Sequence, residues 1–374
     1  MILLENGPGA EPVLFQAPVG TIRADSPAEV DGALAALDQA RADGLWAAGY
    51  ASYELGYALE PHLARLMPEG RALPLLHFGL YAAPQKADPI LALADDLASH
   101  ASLTEVAPSW SAEDHRRAIT RILDHIAAGD IYQANLTMGM TARALGPALG
   151  LYGALRARQP VAHGGFVDMD GGPVILSRSP ELFFATAADG TIETRPMKGT
   201  APRASNPAHD AALRMELKTS IKNRAENLMI VDLLRNDISR ICQVGSVKVP
   251  TLFAIESYAT LHQMVSHVTG RLLPGTRPSD IFRALFPCGS ITGAPKIRAM
   301  EIIREQEDGP RDIYCGAIGW LAPDGSSAFN VAIRTLMLQG ESVRFGVGGG
   351  IVADSTAHGE YEEALWKARF ATLS

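Results

Sequence analysis

Cysteine is scarce: Cys242, Cys288 and Cys315 are the only three in 374 residues. None forms a Cys-x-x-Cys pair, and an odd, small count in so long a chain points to reduced thiols rather than a disulfide framework or a zinc site. Long apolar runs are missing too. No segment approaches the roughly 18 to 20 residues that span a bilayer, and Met1-Ile2-Leu3-Leu4-Glu5 has neither the basic nor the apolar region of a signal peptide. A cytoplasmic protein with no membrane partner is expected. Also absent is any Lys/Arg run. At a net charge of −8 the chain offers no basic face that could release counterions from nucleic acid. Small-molecule and protein partners remain. With 47% hydrophobic and 20% charged residues the chain reads as globular.

Residues 1 to about 105 hold a helical pattern (Ala28 to Ala40) and two strand-like runs, Leu45 to Tyr53 and Leu75 to Tyr81, which read as a smaller α/β lobe packing on the main unit. The pattern lapses at Ala107-Pro108-Ser109, and Ser111 followed by Glu113 and Asp114 is a helix N-cap with an acidic first turn, so the boundary with a second domain, 106–374, is drawn there. Beyond it, Asp170-Gly171-Gly172 and Asp189-Gly190 separate apolar runs as hairpin turns do. Leu213, Leu217, Ile221, Ala225 and Leu228 recur at helical spacing and predict one long amphipathic helix to about Arg235. Ala317 to Leu321, Ala328 to Leu338 and Ser342 to Val347 predict an antiparallel meander, followed by a helix from about Ala357 to Phe370. Runs of strands with helices set between them favour α+β over a doubly wound parallel sheet.

Several groups could carry chemistry. On the last helix Glu360, Glu363 and Lys367 share one face, which suits a hard cation or is simply a solvated helix face. Glu226 precedes the apolar run Leu228 to Val231, an unusual setting for an acid. Gly289 to Lys296 is a small-residue loop opening a helix whose Ile297, Met300 and Ile303 share a face; it reads as an anion cradle or as a plain turn, and it lacks the ending of a Walker A loop. Gly346-Val347-Gly348-Gly349-Gly350 marks either a bulge or a close approach to backbone. Arg334 either interrupts a strand for a purpose or points outward by alternation. Lys198, after Pro196 and before Gly199, is a presented side chain, and Glu181 could donate a proton if buried.

These blocks occur in one order. Gly129-Asp130-Ile131-Tyr132-Gln133-Ala134-Asn135-Leu136, Ser177 to Glu181, Arg195-Pro196-Met197-Lys198-Gly199-Thr200, Arg224 to Asp237, Gly289 to Lys296 and Gly348 to Ser355 together resemble the chorismate-utilising enzymes, which include anthranilate, aminodeoxychorismate, isochorismate and salicylate synthases. The resemblance implies an α+β fold of large, mostly antiparallel sheets packed as a sandwich with helices outside. Within that family the isochorismate and salicylate synthases carry a water-activating lysine where this chain has Gln133, and the anthranilate synthases an alanine where it has Lys198. The pair therefore resembles the branch that aminates chorismate at C4, the component I subunits of aminodeoxychorismate synthase. An anthranilate or isochorismate type of synthase, and a catalytically silent chorismate-binding subunit, are the competing readings.

The resemblance further implies a Mg²⁺ ion held by Glu226 and Glu363 with Glu360 nearby, a nucleophilic Lys198, and Glu181 as general acid. It implies that Thr200, Thr292, Gly293, Ala294, Tyr314, Arg334, Gly348, Gly349 and Lys367 hold the substrate. Two positions depart from the family pattern: Gln263 stands where many relatives have histidine, with His262 one earlier, and Asn223 stands where many have an acid. None of the cysteines has the flanking glycines of an amidotransferase nucleophile, so ammonia is expected from a glutamine amidotransferase partner or from solution. No part of the chain resembles a lyase, so aromatisation to 4-aminobenzoate is expected to need another enzyme.

Overall fold

The computed structural model describes residues 1–169, 171–258 and 261–373; Asp170, part of one expected turn, lies outside them. The expected α+β class is borne out. Two ten-stranded sheets stack face to face. Between them, Ile2, Phe15, Val167 and Ile175 of one sheet meet Tyr50, Ile318, Trp320 and Ala328 of the other. The outer face of one sheet is covered by the helices Pro27–Ala42, Ile221–Ser239 and Pro278–Leu285, through contacts such as Leu34, Ile230 and Phe282 on Phe78, Phe184 and Phe329. The other sheet's outer face takes Asp88–Leu97, Ala148–Arg158 and Ala357–Ala368 through Leu91, Leu151 and Ala364. Layers of helix, sheet, sheet and helix bury both faces of most strands; all five residues of Ala317–Leu321 are buried.

Strands from both sides of residue 105 share both sheets. Ile2–Leu4 pairs with His163–Val167, and Trp46–Ala51 with Ala317–Leu321. The lapse at Ala107-Pro108-Ser109 falls at the end of a strand, Ser102–Pro108, whose register with Gln133–Leu145 shifts between Thr104 and Ala107.

Two expected elements are corrected. The long helix is two, Pro207–Thr219 and Ile221–Ser239, parted at Ser220, whose ψ of 115° leaves the helical region and whose hydroxyl accepts from the Asn223 N–H. Leu217 of the first helix is buried as expected, but in the second the apolar stripe faces outward: Ile221 is 87% and Leu228 45% exposed, while Asn227, Ile230, Leu234 and Ile238 form the buried face. Spacing of four persists across the break, so periodicity alone could not show it. The meander, secondly, is divided between the sheets. Ser327–Val331 belongs to one and Thr335–Gln339 to the other, and the chain crosses through Ala332 to Arg334, where Arg334 takes φ = 50°. In the helix Lys296–Gln306, Met300 and Ile303 are buried but Ile297 is 44% exposed.

Candidate active site

The edge strand Met197–Pro202 of one sheet faces the glycine-rich end of Ser342–Ile351 in the other, and the helices Ile221–Ser239 and Ala357–Ala368 flank the gap. A cavity of about 710 Å³ fills it. Its walls bring together Glu181, Lys198, Thr200, Glu226, Tyr314, Arg334, Gly348, Gly349, Glu360, Glu363 and Lys367. Thr292, Gly293 and Ala294 do not line it. Their backbone extends a sheet instead: Gly293–Ala294 pairs with Gln133 and Ala134, and Thr292 O accepts from Asn135 N. The loop therefore has few free N–H groups for an anion. Its Lys296 is also committed, pairing with the buried Asp237 at 2.6 Å and tying the loop to the neighbouring helix.

The glycines at 346–350 form no bulge, because their strand stays in step with Gln133–Leu145 from Ser342 to Ile351. They admit close neighbours. A Cβ at 346 would lie 2.4 Å from the Tyr314 ring, one at 350 would lie 2.8 Å from Gln133 Cδ, and one at 349 would lie 3.1 Å from Glu360 Oε2 and 3.6 Å from Glu363 Oε1. Glycine at 349 thus keeps open the place where two carboxylates converge.

Lys198 sits on a bulge. Met197 pairs with Val265 and Thr200 with Gln263, so three residues advance against two. The next residue, Gly199, takes φ = 87°, and a Cβ there would lie 2.9 Å from Asn223. Among the described residues the Lys198 amine has no hydrogen-bond or ion-pair partner. Burial, then the charge of Lys367, lower its pKa against the opposing pull of Glu226, Glu181 and Glu363. Glu181 is 5% exposed, and burial pushes its carboxyl to about 7, although Ser290 Oγ donates to Oε1 at 2.8 Å and Lys198 lies close. An amine whose pKa is lowered thus shares a cavity with a carboxyl whose pKa is raised to about 7.

The far wall is acidic. Burial raises the pKa of Glu226 and Glu360, and Ser355 Oγ donates to Glu360 at 2.6 Å. Burial acts on Glu363 as well, but Lys367 reverses it and the net shift is downward. Lys367 Nζ is 2.7 Å from both Glu363 Oε1 and Gly348 O, so it is not a free anchor for an anion. Among the described residues no group of three or more His, Cys, Asp or Glu stands close enough to hold a metal as placed. The donor set nonetheless fits a hard divalent ion: among the described residues Glu226 has no hydrogen-bond or ion-pair partner, and the space beside Gly349 is bounded by carboxylate oxygens. Arg334 also lines the cavity, its guanidinium has no hydrogen-bond or ion-pair partner among the described residues, and burial lowers its pKa.

Five further residues serve the site. Ser290 contacts Glu181, Asn135 lines the cavity with its buried Nδ2 unpartnered, and Asn223 and Gln263 touch the Lys198 segment. Arg311, 7% exposed, pairs with Glu307 at 2.7 Å and donates to the backbone oxygens of Ile291 and Asn135, fixing two stretches of wall. Ser290 and Asn135 lie inside the ordered sequence blocks and Gln263 and Asn223 were visible as departures, but nothing local marked Arg311.

The profile of the chorismate binding enzyme family matches residues 1–372, and the chain belongs to that family. It is 44% identical over 259 residues to aminodeoxychorismate synthase component 1 of Klebsiella aerogenes, covering 69% of this chain and 57% of that protein. It is equally 44% identical over 257 residues to aminodeoxychorismate synthase of Streptomyces pristinaespiralis, covering 69% and 35%. The chain thus spans less than two thirds of these relatives' length. Among solved structures, anthranilate synthase component I of Streptococcus pneumoniae superposes with a TM-score of 0.81 at 26% identity, over 96% of this chain and 91% of that one.

Proposed function

We propose that the chain catalyses the magnesium-dependent amination of chorismate at C4, giving 4-amino-4-deoxychorismate for 4-aminobenzoate and folate synthesis. The carrying observation is the unpaired Lys198 amine in one cavity with the buried Glu181 carboxyl, whose pKa is about 7. Relatives named aminodeoxychorismate synthase, at 41 to 46% identity, support the choice within the family. The neutral Lys198 amine bonds to C2 of the ring. As both ring double bonds shift, from C1=C2 and C5=C6 to C1=C6 and C4=C5, the C4–O bond breaks, and the hydroxyl takes the Glu181 proton and leaves as water. Ammonia then bonds to C4, both double bonds shift back and the C2–N bond to Lys198 breaks. The proton lost by the incoming ammonia restores Glu181, and the lysine departs as the free amine.

Arg334 supplies the cation for a substrate carboxylate, with Tyr314, Thr200, Gly348 and Gly349 shaping the walls. A magnesium ion held by Glu226, Glu360 and Glu363 would offset the charge of the other carboxylate. Lys367 acts chiefly through its charge on Lys198 and Glu363. The "component 1" names of the Klebsiella and Escherichia coli relatives support a second subunit, which we take to be a glutamine amidotransferase supplying ammonia in the cytoplasm. Incubation with chorismate, Mg²⁺ and an ammonium salt, followed by a separate aminodeoxychorismate lyase, tests the proposal. 4-Aminobenzoate is the expected product; anthranilate or isochorismate would overturn the C4 assignment, and chorismate-dependent thermal stabilisation without product would indicate a silent binding subunit.

A further inference from the structure

We infer that Gln263 is a positioning residue for Lys198: its side-chain amide brackets the bulge from which the amine is presented. The inference rests on the reading of Lys198 as the nucleophile. Gln263 Nε2 donates to Gly199 O at 2.9 Å, and its Oε1 accepts from Thr200 Oγ1 at 3.1 Å. Both bonds fall at the register shift between Met197 and Thr200, where a bulge interrupts the ladder and leaves backbone groups needing other partners. On the opposite side Asn223 packs against Gly199, and its own Nδ2 is fixed by Ser220 Oγ at 3.0 Å. The helix break at Ser220 therefore sets Asn223 where the bulge needs a floor.

Backbone fixation matters here because the Lys198 side chain has no partner of its own among the described residues. Whatever sets the location of its amine must act through the strand beneath it. A reacting atom displaced by about 1 Å can cost on the order of 10²-fold in rate. An amide does not titrate over the working pH range, so the hold stays constant while Lys198 and Glu181 change protonation state. Gln263 can position but cannot exchange a proton, so replacing it should scale the rate without moving either limb of the pH profile.

The test uses the full chain with Mg²⁺, chorismate and ammonium, comparing Gln263→Met, which keeps the length and loses both hydrogen bonds, with Gln263→His, which keeps a ring N–H able to donate. Hydrogen exchange of the peptide spanning 197–202 supplies a readout independent of turnover. For Gln263→Met we expect kcat lower by about 30- to 100-fold at every pH, KM for chorismate within about threefold, and faster exchange confined to 197–202. Gln263→His should recover several-fold in kcat. A kcat within about twofold of the parent in Gln263→Met, a shifted pH limb, unchanged exchange at 197–202, or exchange raised throughout both sheets would each overturn the inference. Lys198→Ala separates the two readings. Continued C4 amination in that variant removes the nucleophile itself, whereas an inactive Lys198→Ala beside an unimpaired Gln263→Met removes only the bracket.

Discussion

Lys198 and Lys367 face the same cavity from opposite walls, yet among the described residues only Lys367 of the two has partners, Glu363 and Gly348 O, both at 2.7 Å. Lys198 stands on a bulged edge strand with no partner for its amine, and its pKa is lowered by burial and by the charge of Lys367 itself. On the proposed reading, the contrast gives two identical side chains different tasks. A lysine held against a carboxylate serves as a fixed charge, while one denied a partner can lose its proton and become nucleophilic.

Removing the unpaired lysine should break the comparison most severely. Lys198→Ala is expected to lower C4 amination by about 10³-fold or more, read as kcat with chorismate and ammonium. Glu181→Gln should follow, with a loss of roughly 10²- to 10⁴-fold. The pH profile sharpens the assignment. With its pKa raised to about 7, Glu181 is protonated below that pH, so the parent rate should fall above about 7, and this limb should vanish in the glutamine variant. The acid limb belongs to Lys198, whose amine becomes neutral as pH rises. Arg334→Ala should raise KM for chorismate by roughly 10- to 100-fold, the worth of a charge-assisted contact.

Lys367→Met is a milder and more discriminating change. Without that neighbouring charge the pKa of Lys198 should rise, so the acid limb should move to higher pH, with kcat at pH 7 lower by about tenfold. The smallest expected effect is on stability. A raised carboxyl pKa favours the fold fully below the ordinary glutamate value and loses that contribution as pH rises through about 7. Glu181→Gln should therefore melt above the parent at pH 8 and alongside it at pH 4.

Much of this site was legible because its chemistry is carried by short blocks. Lys198 beside Gly199, the Glu360, Glu363 and Lys367 face, and Glu226 ahead of an apolar run all lie at the cavity. The α+β class followed from strand runs and turn residues. What stayed hidden were tertiary facts. A Ser220 cap inside an unbroken apolar period concealed a helix break, and the residues 328–338 read as one strand although the chain changes sheets at Arg334. Arg311 could not be found locally, since its partners Asn135 and Ile291 come from distant segments. The 292–294 segment misled in another way: its backbone completes a sheet instead of cradling an anion.

The covalent step is the claim on which the contrast between the two lysines depends, and one measurement reaches it directly. Protein incubated with chorismate and Mg²⁺ but no ammonia should accumulate an adduct on Lys198 with the mass of chorismate less water, located by peptide mass spectrometry and absent from Lys367. No adduct at Lys198, together with undiminished C4 amination in Lys198→Ala, would contradict the account.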